Sequence, residues 1–278
     1  MPQIVPILDP ADPRIADYRD IRERDLVGRR GLFVAEGRVV LNVLVTSPRC
    51  TPVSLLVAEH RLPTLDDILD RLGDAVPVYA AAQPVLDAIA GFPLHRGLLA
   101  LGRRTDTPEA DALLAGLPAD DDVLLLSAIA NHDNMGGLFR NAAAFGVGAV
   151  LLDADCCDPL YRKAIRVSVG AALRVPYAVL PRDIDALALL ERHGFAPLAL
   201  SPAGAQELAD LAPPPRAAVI LGAEGPGLSP ALLARTTSVR IDMEAGFDSL
   251  NVATTGGIVL HHLAAARRAR NAIAHPAL

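Results

Sequence analysis

Short apolar runs rich in Val, Leu and Ala alternate along the chain with stretches whose apolar residues recur at helical spacing. That change of period predicts an α/β protein. In the N-terminal third, strands are expected near Leu32 to Val34, Ser54 to Ala58, Val76 to Ala80 and Gly97 to Leu101, with helices near Arg38 to Val45, Leu65 to Leu72 and Val85 to Ala90. The pattern lapses over Arg103 to Asp122, where Thr105-Asp106-Thr107-Pro108 and the acidic end Ala119-Asp120-Asp121-Asp122 read as a linker with one short helix. Beyond it a strand is expected from Val123 to Ile129 and a helix from Met135 to Phe145, stopped by Gly146. Further strands fall near Ala149 to Leu152, Ala196 to Leu200, Ala217 to Leu221 and Ser238 to Ile241, and a helix from Leu250 to Arg268 closes the pattern. The expected organisation is a domain over 1–104, a linker over 105–121 and a second domain over 122–278.

The length of 278 residues agrees with two domains, since one domain usually takes about 100 to 150. No apolar run approaches the roughly 20 residues that span a bilayer, so no membrane partner is expected. Pro2, Asp9, Asp12 and Arg14 interrupt the N-terminus, which lacks the basic start and apolar core of a signal peptide. A cytoplasmic protein is the expectation. Cys50, Cys156 and Cys157 have neither metal-ligand spacing nor easy disulfide geometry, and read as thiols in a reducing compartment. The net charge of -6 argues against a globally basic nucleic-acid binder, and no DNA partner is expected. Locally, six Arg between Arg14 and Arg30 face Asp17, Asp20, Glu23 and Asp25, which leaves that stretch at +2. It is a candidate RNA contact or a helix of internally paired charges.

Three strand-to-helix junctions concentrate the candidate chemistry. Asn134 sits where a helix N-cap belongs, and Gly136 and Gly137 would let a ligand approach backbone N–H groups. Leu138, Ala142 and Phe145 mark a buried stripe that turns Arg140 the other way, available for an anion or simply solvated. Gly222, Gly225 and Gly227 follow a strand, but their spacing is not the dinucleotide fingerprint, and Pro226 has no N–H for a phosphate. Glu224 among them suits a cationic ligand or a structural hydrogen bond, and a tight surface turn is the plainer alternative. At the start of the last helix stand Ser249 and Asn251, where Asp248 or Ser249 reads as the N-cap. Gly256 and Gly257 inside that helix point to close packing against a backbone, such as that of a second subunit. The His residues form no metal pattern, and neither a nucleophile elbow nor a phosphate loop of the Walker type is present.

Taken in order and at these separations, Asn134-Met135-Gly136-Gly137-Leu138-Phe139-Arg140, Leu221-Gly222-Ala223-Glu224-Gly225-Pro226-Gly227-Leu228, and Ile241-Asp242-Met243 with Ser249-Leu250-Asn251 resemble the motifs of the SpoU (TrmH-type) RNA ribose 2'-O-methyltransferases of the SPOUT superfamily. The resemblance covers roughly residues 123 to 270. Phe33-Val34-Ala35-Glu36-Gly37-Arg38 and His95-Arg96-Gly97-Leu98-Leu99-Ala100 are similar to the L30e-like substrate-binding domain that precedes the catalytic domain in many members. Asp158-Pro159-Leu160-Tyr161-Arg162, leading to Arg166-Val167-Ser168-Val169-Gly170, resembles the family's connecting segment. The resemblance implies a C-terminal trefoil knot, an exception to the usual avoidance of knots. It also implies S-adenosylmethionine held by backbone near Leu200, Gly222, Ile241, Met243 and Leu250, a ribosomal or transfer RNA substrate, and a homodimer whose active site draws on both subunits. Asn134, Arg140, Glu224, Ser249 and Asn251 fall on the family's polar active-site positions. Two departures stand out: Ala130-Asn131-His132-Asp133 where many members have an Asp-Pro step, and Met135 where Leu or Val is usual. Two rival readings are a non-catalytic RNA-binding protein that keeps the fold, and a dinucleotide-dependent α/β enzyme, which the glycine spacing disfavours.

Overall fold

The computed structural model describes residues 2–19, 27–28, 30–90, 94, 96–105, 107–223, 225, 227–247 and 249–274. In chain order its elements begin with β1 (Ile4–Ile7), β2 (Leu32–Glu36), α1 (Arg38–Leu44), β3 (Cys50–Ala58), α2 (Asp66–Leu72), β4 (Val78–Ala81), α3 (Gln83–Ala90) and β5 (Leu98–Arg104). They continue with α4 (Ala110–Ala115), β6 (Val123–Leu126), α5 (His132–Phe145), β7 (Ala149–Leu152), α6 (Arg162–Val167), β8 (Tyr177–Val179) and α7 (Ala186–Arg192). The last are β9 (Ala196–Leu200), β10 (Gln206–Glu207), β11 (Ala217–Leu221), α8 (Pro230–Leu233), β12 (Thr237–Arg240) and α9 (Val252–Ala274). Among the described residues, no helix is long and apolar enough to cross a membrane.

Two compact units result, Met1–Asp106 with Asp158–Arg174, and Thr107–Cys157 with Val175–Leu278. This differs from a division at 104 and 122 in two places. The stretch 105–121 carries α4, whose Ala110 and Leu114 are buried in the core of the second unit. Segment 158–174 packs with the first unit although it was expected inside the second domain. Its anchors include two ion pairs, Arg104 with Asp158 at 2.7 Å and Arg162 with the buried Glu36 at 2.9 Å, and the Ser47 hydroxyl donating to the Leu173 carbonyl at 2.5 Å.

The first unit is built on a five-stranded sheet in the order β1-β4-β3-β5-β2. β1, β4 and β3 run parallel, and β5 is antiparallel to both of its neighbours. Pro6 is tolerated because β1 is an edge strand, where a missing N–H breaks no ladder on its open side. The β3–β5 register shifts between Pro52 and Ser54, the signature of a bulge. Tyr18 is buried against this irregularity, its hydroxyl donating to the Ser54 carbonyl (2.9 Å) and accepting from the Leu101 N–H (3.1 Å). Burial pushes that phenol's pKa up from its ordinary value, so it stays protonated.

Seven parallel strands in the order β10-β12-β9-β11-β6-β7-β8 form the sheet of the second unit. Its central strands read as unbroken apolar runs, VLLL, AVLL and AAVIL, because helices cover both faces. From β6 the chain steps outward through β7 and β8, then crosses to the other side for β9, and β11 inserts between β9 and β6. That reversal of direction creates the crevice in which open α/β sheets bind ligands.

α9 lies along α5. A Cβ on Gly137 would come within 2.7 Å of the Ala253 Cβ, and one on Gly256 within 2.7 Å of Leu138 and 3.1 Å of Leu221. The close approach for which Gly256 and Gly257 suggested a second subunit is therefore made inside the chain, with Gly257 against Asn141. Arg267 fixes the far end of α9 by meeting Asp122 (2.9 Å) and donating to the Phe145 carbonyl at the end of α5 (2.7 Å).

Candidate active site

The carboxyl ends of β9, β11 and β12, with residues 241–243 and 249–251 before α9, enclose a cavity of about 500 Å³. A volume near this is ordinary for pockets that take cofactor-sized ligands. Its walls are mostly apolar, from Leu200, Leu221, Val239, Ile241, Met243 and Leu250, with Ser201, Ser249, Asn251 and Thr255 supplying polar groups. No described lining residue carries a charge. A diphosphate would find no Lys or Arg there, which counts against the dinucleotide reading.

Each wall has a local cause. Leu200, Leu221 and Val239 are the last apolar positions of their strands or one residue from them, so the chain leaves the sheet at a common level. After β11 the chain turns sharply: a Cβ on Gly222 would sit 2.8 Å from the Gly227 carbonyl carbon and 2.9 Å from the Leu228 nitrogen. The Gly227 N–H donates to the Ala223 carbonyl (3.1 Å), and Gly225 and Gly227 have φ of +90° and +65°, open to residues without a Cβ. A tight turn and a ligand wall are thus the same object here. Glu224 and Pro226 of this turn, like Asp248 beyond β12, lie outside the described residues.

The two helix starts meet beside the cavity. α5 begins earlier than the sequence suggested, and its N-cap is Asn131, whose side chain accepts from the Asp133 and Asn134 N–H groups. Asn134 is consequently not the cap. It lies in the first turn, is buried, and accepts at Oδ1 from Asn251 Nδ2 at 2.8 Å. Asn251, rather than Asp248 or Ser249, caps α9, because its Oδ1 accepts from the Ala253 and Thr254 N–H groups (2.9 and 3.2 Å). Asn141 adds a second link, donating to the Ala253 carbonyl at 2.7 Å.

Seven of the ten residues singled out by resemblance, Leu200, Gly222, Ile241, Met243, Ser249, Leu250 and Asn251, line this one cavity. Asn134 joins them through Asn251. Arg140 is not brought in: it is exposed on α5 and takes no part in the lining. Sequence reasoning missed Ser201, Pro202 and Thr255 as cavity residues. The signal for Ser201 was its place directly after β9, equivalent to Gly222 after β11. In the N-terminal stretch of arginines, Arg22, Arg24 and Arg29 lie outside the described residues. Arg14 pairs with Asp12 at 2.6 Å, Arg30 pairs with Asp17, and nearby Arg38 pairs with Asp67 at 2.6 Å. Of these, only the Arg30–Asp17 pair is one that the internally paired alternative expects.

A parallel sheet with an apolar cavity at its carboxyl edge, placed where the strand order reverses, has its pocket where open α/β proteins bind their ligands. Residues 122–261 match the model of the SpoU rRNA Methylase family. Over 264 residues the chain is 40% identical to a protein of Mycobacterium tuberculosis named as an uncharacterized tRNA/rRNA methyltransferase, covering 92% of this chain and 90% of that one. It is 24% identical over 261 residues to the 23S rRNA (guanosine(2553)-2'-O)-methyltransferase of Bacillus subtilis, with 90% and 95% covered. Its fold matches the crystal structure of an AdoMet-bound rRNA methyltransferase from Sinorhizobium meliloti with a TM-score of 0.79 at 20% identity, over 96% of this chain and 98% of that one. The chain belongs to the SpoU rRNA methylase family.

Proposed function

We propose that the protein transfers the methyl group of S-adenosylmethionine to a ribose 2'-hydroxyl of ribosomal or transfer RNA. The observation that carries this reading is the meeting of the apolar cavity with the Asn251–Asn134 pair at its edge. When bound, the cofactor supplies a methyl already activated as a sulfonium, so the chain must provide alignment and help with the hydroxyl proton.

The residues present suit that ligand. Leu200, Ile241, Met243 and Leu250 offer apolar and polarisable surface to an adenosine and a thioether, and the glycine turn at 222–227 leaves backbone exposed to a ligand. Ser249 and Asn251 would orient the ribose. Arg140 would hold the adjacent RNA phosphate and stabilise the developing alkoxide, a task that suits the planar guanidinium with its fork of N–H donors and no acceptor. Its exposure outside its own chain's cavity supports delivery to the cavity of a second copy in a homodimer. We further read the loops after β9, β11 and β12 as the strands of a trefoil knot, the first unit as an L30e-like RNA-binding unit, and the cytoplasm as the place of action. Glu224 keeps its assignment to the site by resemblance alone.

The test is direct. Incubation with labelled S-adenosylmethionine and unmodified total RNA, followed by mapping of new 2'-O-methyl positions, is expected to give one or a few discrete sites. Label entering no RNA, or entering bases only, would sink the reading.

A further inference from the structure

We propose that Asp153 is a positioning residue for methyl transfer, acting by holding Ala128 in a left-handed conformation so that the turn from β6 into α5 presents Asn131 and Asn134. The inference rests on the methyltransferase reading above and adds a residue that none of the three ligand-like motifs contains.

Ala128 has a φ of +55°, one of two positive values at non-glycine residues in the described chain. A Cβ disfavours that region, so such a residue persists only where its surroundings over-determine it, and such places cluster at functional sites. Here the constraint is visible. Asp153, the residue after β7, turns its carboxylate to the end of β6: its oxygens accept from the Ala128 N–H at 3.0 and 2.9 Å and from the Ser127 hydroxyl at 2.7 Å. The Asp155 N–H, at 3.0 Å, holds the same carboxylate from behind. The following residues grip the other side of Ala128, with the Cys157 N–H donating to the Ile129 carbonyl (2.9 Å) and the Ile129 N–H to Cys156 Sγ (3.4 Å).

The clamp has an address. The Ser127 N–H donates to the carbonyl of Leu221 (2.9 Å), a wall of the cavity, so one end of the turn is tied to the ligand site. The other end enters α5 at Asn131, whose cap fixes the first turn and with it the buried amide of Asn134. A carboxylate suits this position because both of its oxygens accept. An amide would place a donor against the Ala128 N–H or the Ser127 hydroxyl.

The experiment uses the full chain in four forms: wild type, Asp153→Asn, Ala128→Gly, and the two substitutions together. Glycine tolerates positive φ, so it makes the clamp unnecessary, and this separates positioning from general damage. Expected for Asp153→Asn are a saturated methyl-transfer rate lower by about tenfold or more, since small misplacements cost large factors, and S-adenosylmethionine affinity by calorimetry near that of wild type. Hydrogen exchange at the Asp133 and Asn134 amides should quicken in Asp153→Asn and slow again in the double variant, whose rate should largely recover. A full rate in Asp153→Asn, or a loss that Ala128→Gly does not restore, overturns the proposal. A wild-type chain that binds S-adenosylmethionine yet methylates no RNA overturns the underlying reading instead, and the exchange data still report whether Asp153 controls the helix start.

Discussion

Asn251 and Asn134, 117 positions apart, are joined by a 2.8 Å hydrogen bond in which each amide's orientation is forced. The Asn251 oxygen faces the first N–H groups of α9, so its Nδ2 must face Asn134, which in turn must present its oxygen. One residue thereby caps a helix, lines the cavity and fixes a buried amide on α5.

Replacing Asn251 with Ala should therefore cost more than a lost cap. The cap is worth about 1 kcal/mol, and the lost hydrogen bond to the buried Asn134 oxygen adds about 0.5–1.5 kcal/mol. A double-mutant cycle with Asn134→Ala, read by urea denaturation, is expected to give a coupling of about 1 kcal/mol or more. Additive losses would show that the bond does not couple the two helix starts.

Arg140→Ala should abolish methyl transfer while leaving S-adenosylmethionine affinity nearly unchanged, because Arg140 does not line the cavity of its own chain. Arg140→Lys should fail too, since a point charge cannot reproduce the planar fork. Inactive Arg140→Ala mixed with a variant inactive through Asn251 should regain activity if the guanidinium serves the second copy. Calorimetry with rate measurements on single and mixed variants decides it.

Tyr18→Phe removes one oxygen from the first unit, and should destabilise the protein by about 1–3 kcal/mol because the buried Leu101 N–H and Ser54 carbonyl lose their partner at the bulge. Methyl transfer per folded molecule should not change. Equal denaturation midpoints for wild type and variant would mean that water or backbone adjustment repairs the gap.

Burial raises the thiol of Cys50 from 9.0 to about 11 and that of Cys156 from 9.0 to about 12. Above pH 9 the unfolded chain releases protons that the folded chain retains, so this contribution to stability is intact below pH 9 and is lost as pH rises toward those values. The slope is at most about 1.4 kcal/mol per pH unit for each thiol. Urea titrations from pH 8 to 10.5 should show a fall in stability that is shallower in Cys50→Ala/Cys156→Ala than in wild type.

The chain's pattern disclosed the second sheet well, since β7, β9 and β11 are short apolar runs, buried throughout in β7 and β11 and over the last three residues of β9, whose bounds coincide with those expected. It disclosed less where burial is one-sided. β1 alternates around Pro6 with only Ile7 buried, and so reads as an irregular N-terminus. The start of α5 is ambiguous in the sequence because Asn131 and Asn134 are both good caps, and local preference cannot choose between caps one turn apart. The membership of segment 158–174 was not legible at all. Its partners lie more than fifty residues away, among them Glu36 and Arg104 through ion pairs and the Ser47 hydroxyl on the Leu173 carbonyl, and no periodicity encodes them.

That last feature has a bearing on synthesis. A ribosome delivers β1 to β5 first, but the partners of Glu36 and Arg104 emerge only after α4, β6, α5 and β7 have been made. Until Arg162 leaves the exit tunnel, Glu36 is a carboxylate lacking the cation that occupies it in the finished fold. The N-terminal unit is thus completed out of turn, and nascent chains that still hold segment 158–174 inside the tunnel should yield to protease more readily in that unit than chains arrested late enough to have released it.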